Sequence, residues 1–300
     1  MSPAEELVAS LTGGAAAVRE LDERGRLTAL IPELESGRGF AQPELHYYDV
    51  LQHNLAAVGA LDEALGATEG VRELRESLVW LDLDESLDQE IDGVPLLALL
   101  RLACLVHDVA KPDTATIVDG RLRFPRHGPR GAEMMQDRLV LLGFGEAATD
   151  FVARMVRYHL RPGELVRIFP PTDHAVRRFV NDLDGYVLPL MLVNLADGWA
   201  TRGPRYTDEH FRRHANFVSY VVARALGAME HALPALIHGE DLMHELGLES
   251  GRTLGAVLTS VRRAQLEGAV SDREAALALA RETLASLRAA DGRDPGQVAR

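Results

Sequence analysis

The stretch VPLLALLRLACLVHDVAK, residues 94–111, is apolar on every side up to Val106, apart from Arg101, and then ends on His107-Asp108. A helix that is hydrophobic all round belongs at the centre of a fold rather than on its surface. It is well short of the roughly 20 apolar residues that span a bilayer. The same burial makes Asp108 expensive, because an ionised carboxylate taken out of water needs a metal, a cation or hydrogen-bond donors around it. Residues 94–111 therefore predict a helical core with a polar centre attached to one end.

Working outward, the periodicity stays helical. Leu51, Leu55, Val58, Leu61 and Leu65 recur at three- and four-residue spacing within a helix predicted over Tyr47–Leu65, and Phe151, Met155 and His159 recur at four. Tyr186–Ala196 reads as a second buried helix, and Leu242–Leu287 as amphipathic helices separated by glycines. One strand signal is read, at Thr114–Phe124, where Asp119-Gly120 can turn a short hairpin. Helix stops are placed at Pro112, Pro162 and Gly198, and a loose tail at Asp291–Arg300. The expected fold class is all-α with one small β-hairpin. The expected organisation is a helical lead-in over 1–45, a central domain over 46–220 and a helical C-terminal region over 221–300.

The 300 residues are 47% hydrophobic and 26% charged, a globular balance that excludes disorder. The single cysteine, Cys104, lies in the apolar run and fits a reducing compartment. Met1–Ser10 carries Glu5 and Glu6 where an export signal would be basic, so a cytoplasmic protein is expected. The net charge of -13 argues against a non-specific nucleic-acid binder. Lys111–His214 is nonetheless slightly basic, with 16 basic against 13 acidic residues, which is compatible with a phosphate-bearing substrate held locally. Of the 32 basic residues only Lys111 is a lysine.

Several histidines sit where surface residues would not. His107-Asp108 ends the most apolar helix, His159 extends the Phe151–Met155 stripe, and Asp197 extends the Leu190–Val193 stripe. His53 lies two turns after His46, with Asp49 between them and placed to orient the His53 ring. His127 follows the hairpin. Any one of these could be a hydrogen-bonded core residue. Together, four imidazoles and two carboxylates are a ligand set for one or two divalent transition-metal ions, and suit Mn, Fe, Co, Ni or Zn better than Ca or Mg. His53, His107, Asp108, His127, His159 and Asp197 are expected to converge in one cavity.

The order His53, His107-Asp108, His127, His159, Asp197 resembles the pattern of the HD-domain metal-dependent phosphohydrolases. The runs LVHDVAKP, DGRLRFPRHGPRGAEM and VRYHLRP resemble more narrowly the HD region of bacterial CCA-adding tRNA nucleotidyltransferases and poly(A) polymerases. QPELHYYDVLQH, LADGWATRGP and the C-terminal run from Gly239 are similar to the same family. The nucleotidyltransferase head of that family carries a Gly-Ser followed by Asp-x-Asp on a strand. This sequence has no Gly-Ser dipeptide, and its Asp82-Leu83-Asp84 and Asp182-Leu183-Asp184 lie outside strand-like contexts. Nucleotide addition is therefore not expected of this chain.

The resemblance implies a phosphohydrolase acting on nucleotides or RNA ends, 2′,3′-cyclic phosphates or terminal monophosphates among them. Two cations some 3.5–4 Å apart can clamp a phosphoryl group for in-line attack. Asp108 would be their common ligand, with His53, His107 and Asp197 on one side and His127 and His159 on the other. Lys111 is a candidate proton donor or phosphate contact, and equally a helix C-terminal cation. Arg130, Arg202 and Arg205 are candidate substrate contacts. A tRNA substrate and a separate nucleotidyltransferase partner are compatible with this reading; a membrane partner is not. The rivals are a non-catalytic RNA- or partner-binding module and a phosphodiesterase of free nucleotides.

Overall fold

In the computed structural model the described residues are 1–66, 74, 77–78, 81–167, 171–227, 235–266 and 269–291. The fold is all-α, and among the described residues the strands form two small antiparallel pairs. The described helices in chain order are α1 (Pro3–Thr12), α2 (Ala15–Glu23), α3 (Arg26–Leu30), α4 (Val50–Ala64) and α5 (Leu83–Leu87). Then come α6 (Leu96–Val106), α7 (Lys111–Thr114), α8 (His127–Leu142), α9 (Glu146–Tyr158), α10 (Arg161–Arg167) and α11 (Asp173–Leu183). The chain continues with α12 (Val187–Arg202), α13 (Asp208–Leu226), α14 (Gly239–Leu246), α15 (Arg252–Leu266) and α16 (Arg273–Asp291).

Helix α6 is the axis of the bundle. All its residues except Leu97 are buried, and α1, α4, α9 and α12 pack around it. Each fully buried leucine there contributes about 1.5–3 kcal/mol over an exposed one. Helix α9 packs on α8, and α4 packs on α12, so five helices meet near the C-terminal end of α6. A second apolar cluster joins α14, α15 and α16, and α15 contacts α13. Helix α13 runs unbroken from Asp208 to Leu226.

The predicted hairpin is present. Strands β3 (Thr116–Val118) and β4 (Arg121–Arg123) pair antiparallel, and Asp119 and Gly120 both take positive φ, as a two-residue hairpin turn requires. A smaller hairpin that the sequence reading missed, β1 (Glu90–Ile91) with β2 (Val94–Pro95), turns on the same Asp-Gly chemistry at Asp92-Gly93. Its strands are two residues long and carry no alternation to read. Helices α6 and α9 do end before two of the expected stops, at Val106 and Tyr158, but a new helix opens at each proline. Pro112 and Pro162 lie in the first turns of α7 and α10, where the missing N–H costs no helical bond. Helix α12 continues through Gly198 to Arg202. A Cβ on Gly198 would lie 2.7 Å from the His214 ring, so this glycine lets α13 approach rather than ending α12. The tail expected at Asp291–Arg300 lies outside the described residues beyond Asp291.

Arg101, the one charge in the apolar run, is buried against Asp62 of α4, its Nε 2.6 Å from Oδ1. Its Nη1 donates to the carbonyls of Leu11 and Thr12 at the end of α1, and the other Asp62 oxygen accepts from the Ala15 N–H at the start of α2. One ion pair thus satisfies two helix ends and fastens the N-terminal helices to the core. Arg101→Met strands a buried carboxylate and should cost about 3–5 kcal/mol in urea unfolding, with the Asp62→Leu/Arg101→Met double variant recovering much of that loss.

Candidate metal centre

The ligand-type side chains come from three places where the chain changes direction, and from α4 and α12. His107 is the C-terminal cap of α6 and His159 that of α9, so both rings project past the ends of apolar helices. His127 opens α8 after Arg126, which holds a left-handed φ of 60°. A non-glycine residue there costs roughly 1–2 kcal/mol. The turn it makes lets the His127 ring reach back to the Phe124 carbonyl. Gly128 allows α8 to lie against the end of α9, since a Cβ there would sit 2.9 Å from the Arg157 carbonyl oxygen.

Asp108 is the hub. Its Oδ2 lies 3.3 Å from Nε2 of both His53 and His107, and its Oδ1 lies 3.2 Å from His127 Nε2 and 3.6 Å from His159 Nε2. Asp197 Oδ1 is 3.2 Å from His53 Nε2 and 3.5 Å from His107 Nε2, and accepts a hydrogen bond from the Thr201 hydroxyl. Two groups result that could each hold a metal ion: His53, His107, Asp108 and Asp197, and Asp108, His127 and His159. Asp108 belongs to both.

The donor set fits such an ion. Nδ1 of His107, His127 and His159 lies 2.7–2.8 Å from the carbonyl oxygen three residues earlier, of Cys104, Phe124 and Val156. With Nδ1–H donated there, Nε2 is the ligand nitrogen of the neutral ring. His127 and His159 then present two lone pairs 3.1 Å apart, and the His53 and His107 Nε2 atoms are 3.0 Å apart. Two nitrogens bound at about 2.1 Å to one ion lie roughly 3.0–3.4 Å apart.

Charge is arranged to match. Burial alone would raise Asp108, but the Lys111 ammonium and the His107 imidazole hold its carboxyl well below the usual range. Asp197 is likewise held down against burial by His107 and His53. Burial disfavours the charged His107 ring, yet Asp108 and Asp197 outweigh it and hold this imidazole up at about 10. His159 is pushed down by burial.

Other residues fall differently from expectation. Asp49 does not orient His53: it caps α4 through the Gln52 N–H and accepts from the Gly39 N–H. Helix α4 starts at Val50, so His46 precedes it, and His53 Nδ1 is buried without a hydrogen-bond partner among the described residues. Lys111 is 5% exposed, and its Nζ is 2.6 Å from Asp108 Oδ2, 2.7 Å from Gln42 Oε1 and 3.3 Å from His46 Nε2. Gln42 was missed; its only signal was its place in the QPELHYYDVLQH run. Arg130 is half-exposed beside Asp113 and Glu133. Arg205 donates to the Glu44 and Leu45 carbonyls and lies over the Tyr47 ring. Arg202, in the last turn of α12, is partly exposed five residues beyond Asp197.

The HD domain family matches residues 80–198. The region is an HD domain. Within it lie His107, Asp108, His127, His159 and Asp197, while His53 reaches the HD centre from the preceding α4. The chain is 31% identical over 263 residues to the A-adding tRNA nucleotidyltransferase of Deinococcus radiodurans, covering 86% of this chain and 52% of that protein. It is 31% identical over 280 residues to the CC-adding tRNA nucleotidyltransferase of Thermus thermophilus, covering 91% and 54%. The chain thus spans about half the length of these curated relatives. Among the described residues no helix is long and apolar enough to cross a membrane.

Behind Asp197, burial pushes the His214 imidazole down to about 4 against the pull of the Asp197 carboxylate. His214 Nε2 is 2.9 Å from Asn194 Oδ1, which joins α13 to α12. Below its unfolded value of 6.5 the unfolded chain takes up a proton that the folded chain refuses until about pH 4. Stability is therefore lost as pH falls through that window. The melting temperature should drop by several degrees between pH 7 and 4.5, and His214→Gln should flatten that drop.

Proposed function

We propose that this chain is a metal-dependent phosphohydrolase acting on phosphate esters of nucleotides or RNA ends, such as 2′,3′-cyclic phosphates. Asp108 carries the proposal: one buried carboxylate turns each of its oxygens to a separate set of imidazoles. Divalent transition-metal ions held by His53, His107, Asp108 and Asp197, and by Asp108, His127 and His159, would stabilise phosphoryl charge and supply a nucleophilic water at neutral pH. RNA ends are favoured over other esters because the relatives are tRNA nucleotidyltransferases. A division into 1–45, 46–220 and 221–300 belongs to the same proposal.

The chain's own residues do the remaining work. The backbone carbonyls of Cys104, Phe124 and Val156 fix three ring orientations in advance, so little reorganisation is needed when charge develops. Lys111 is the proposed donor of a proton to the leaving oxygen or of positive charge to a phosphate oxygen. Arg130, Arg202 and Arg205 are proposed contacts to the rest of the substrate, Arg205 through the loop it grips. Asp197, with its side chain 20% exposed, marks the side from which solvent reaches the cluster.

The assay is hydrolysis of 2′,3′-cyclic nucleotides, RNA 3′-phosphates and an aryl phosphate with Mn²⁺, Ni²⁺, Co²⁺ or Mg²⁺. Asp108→Asn removes charge from both ligand groups and should abolish nearly all turnover. No activity above that variant on any substrate overturns the proposal and leaves a non-catalytic RNA-binding module. Lys111→Ala should still bind metal and lose rate by on the order of 10²–10⁴, read from kcat at saturating metal.

A further inference from the structure

Asp108 Oδ2 is claimed twice. It faces the Nε2 atoms of His53 and His107, and it also receives Lys111 at 2.6 Å, closer than either ring. The ammonium has three hydrogens and three acceptors around it, Asp108 Oδ2, Gln42 Oε1 and His46 Nε2, and lies 5.4 Å over the Phe124 ring. It is almost fully buried, so water does little to screen it. Among 32 basic residues it is the one lysine, a compact point charge that can press on a single carboxylate oxygen where a planar guanidinium would fork across two.

An ammonium fixed on a ligand oxygen repels any second cation arriving at that oxygen. Asp108 Oδ1, on the His127 and His159 side, bears no such contact among the described residues. The two ligand groups are therefore unequal although they share a residue.

We propose that Lys111 is a resident counter-cation: it holds Asp108 in the metal-free chain and lowers the affinity of the His53, His107, Asp108 and Asp197 group for its ion. This inference rests on the metal centre proposed above, and concerns binding rather than turnover. A lysine of this kind has two effects of opposite sign. It stabilises the empty chain and destabilises the loaded one. A merely structural lysine would support both.

The test is Mn²⁺ titration of the metal-stripped full chain by calorimetry, with bound ion counted by electron paramagnetic resonance, for wild type and Lys111→Met. The methionine keeps an unbranched side chain within one atom of the lysine's length, without the charge. The weaker Mn²⁺ site should tighten at least about tenfold, while the melting temperature in chelator falls because Asp108 has lost its counter-charge. Where Lys111→Met does not fold without metal, Lys111→Gln, neutral but still a hydrogen-bond donor, serves in the same titration. Unchanged or weaker Mn²⁺ binding in the neutral variant overturns this inference and leaves the proposed activity standing. Failure of wild type to bind Mn²⁺ at millimolar concentration overturns the metal centre itself, and this inference with it.

Discussion

A single buried carboxylate organises this molecule. Asp108 sits at the end of a helix with almost no polar atoms, where its charge survives only because opposite charge and donors surround it. Supplying those groups requires α4, α8, α9 and α12 to converge on the end of α6, each presenting an imidazole or a carboxylate. The bundle geometry and the electrostatics of the site are therefore one constraint. A shift of any of these helices by an ångström or two would leave charge exposed to apolar surroundings.

Local hydrogen bonding and helix packing divide the task. Ring orientation is set locally, each of three imidazoles being tied to the carbonyl three residues back in its own chain segment. The meeting of the rings is set globally by helix packing, including the glycine at 128 that lets α8 lie on the end of α9. A site built this way is already in place before anything binds to it.

Much of this was legible in the sequence, for physical reasons. An all-round apolar run can only be a central helix, and an Asp that terminates it must be compensated; these two facts located α6 and the candidate centre together. The helical stripes through His159 and His53 were readable because burial repeats at three and four residues. What was not legible followed from local signals with two meanings. Proline at 112 and 162 reads as a stop but sits as comfortably at a helix start, and Gly198 reads as a stop but serves packing against His214. Asp49 shares a helix face with His53 in an ideal helix; capping α4 was the stronger local demand on its side chain. Gln42 lies on a loop with no periodicity, and its contact with Lys111 spans 69 residues of sequence, so no spacing rule could have found it. The same holds for the Asp62–Arg101 pair, although an arginine inside an apolar run was a sign that a buried acid had to exist.

The i, i+3 spacing of Asp108 and Lys111 has a consequence for biosynthesis. At about 5–20 residues per second, Lys111 leaves the ribosome within a second of Asp108, whereas His127, His159 and finally Asp197 follow over on the order of several seconds. During that interval the apolar α6 segment is already seeking to collapse, and Lys111 adds a permanent counter-charge to the imidazoles of His53 and His107 made before it. A carboxylate that would otherwise oppose early collapse carries its own neutraliser in the next helical turn. The nascent core can thus begin to form before the distant residues of the site exist.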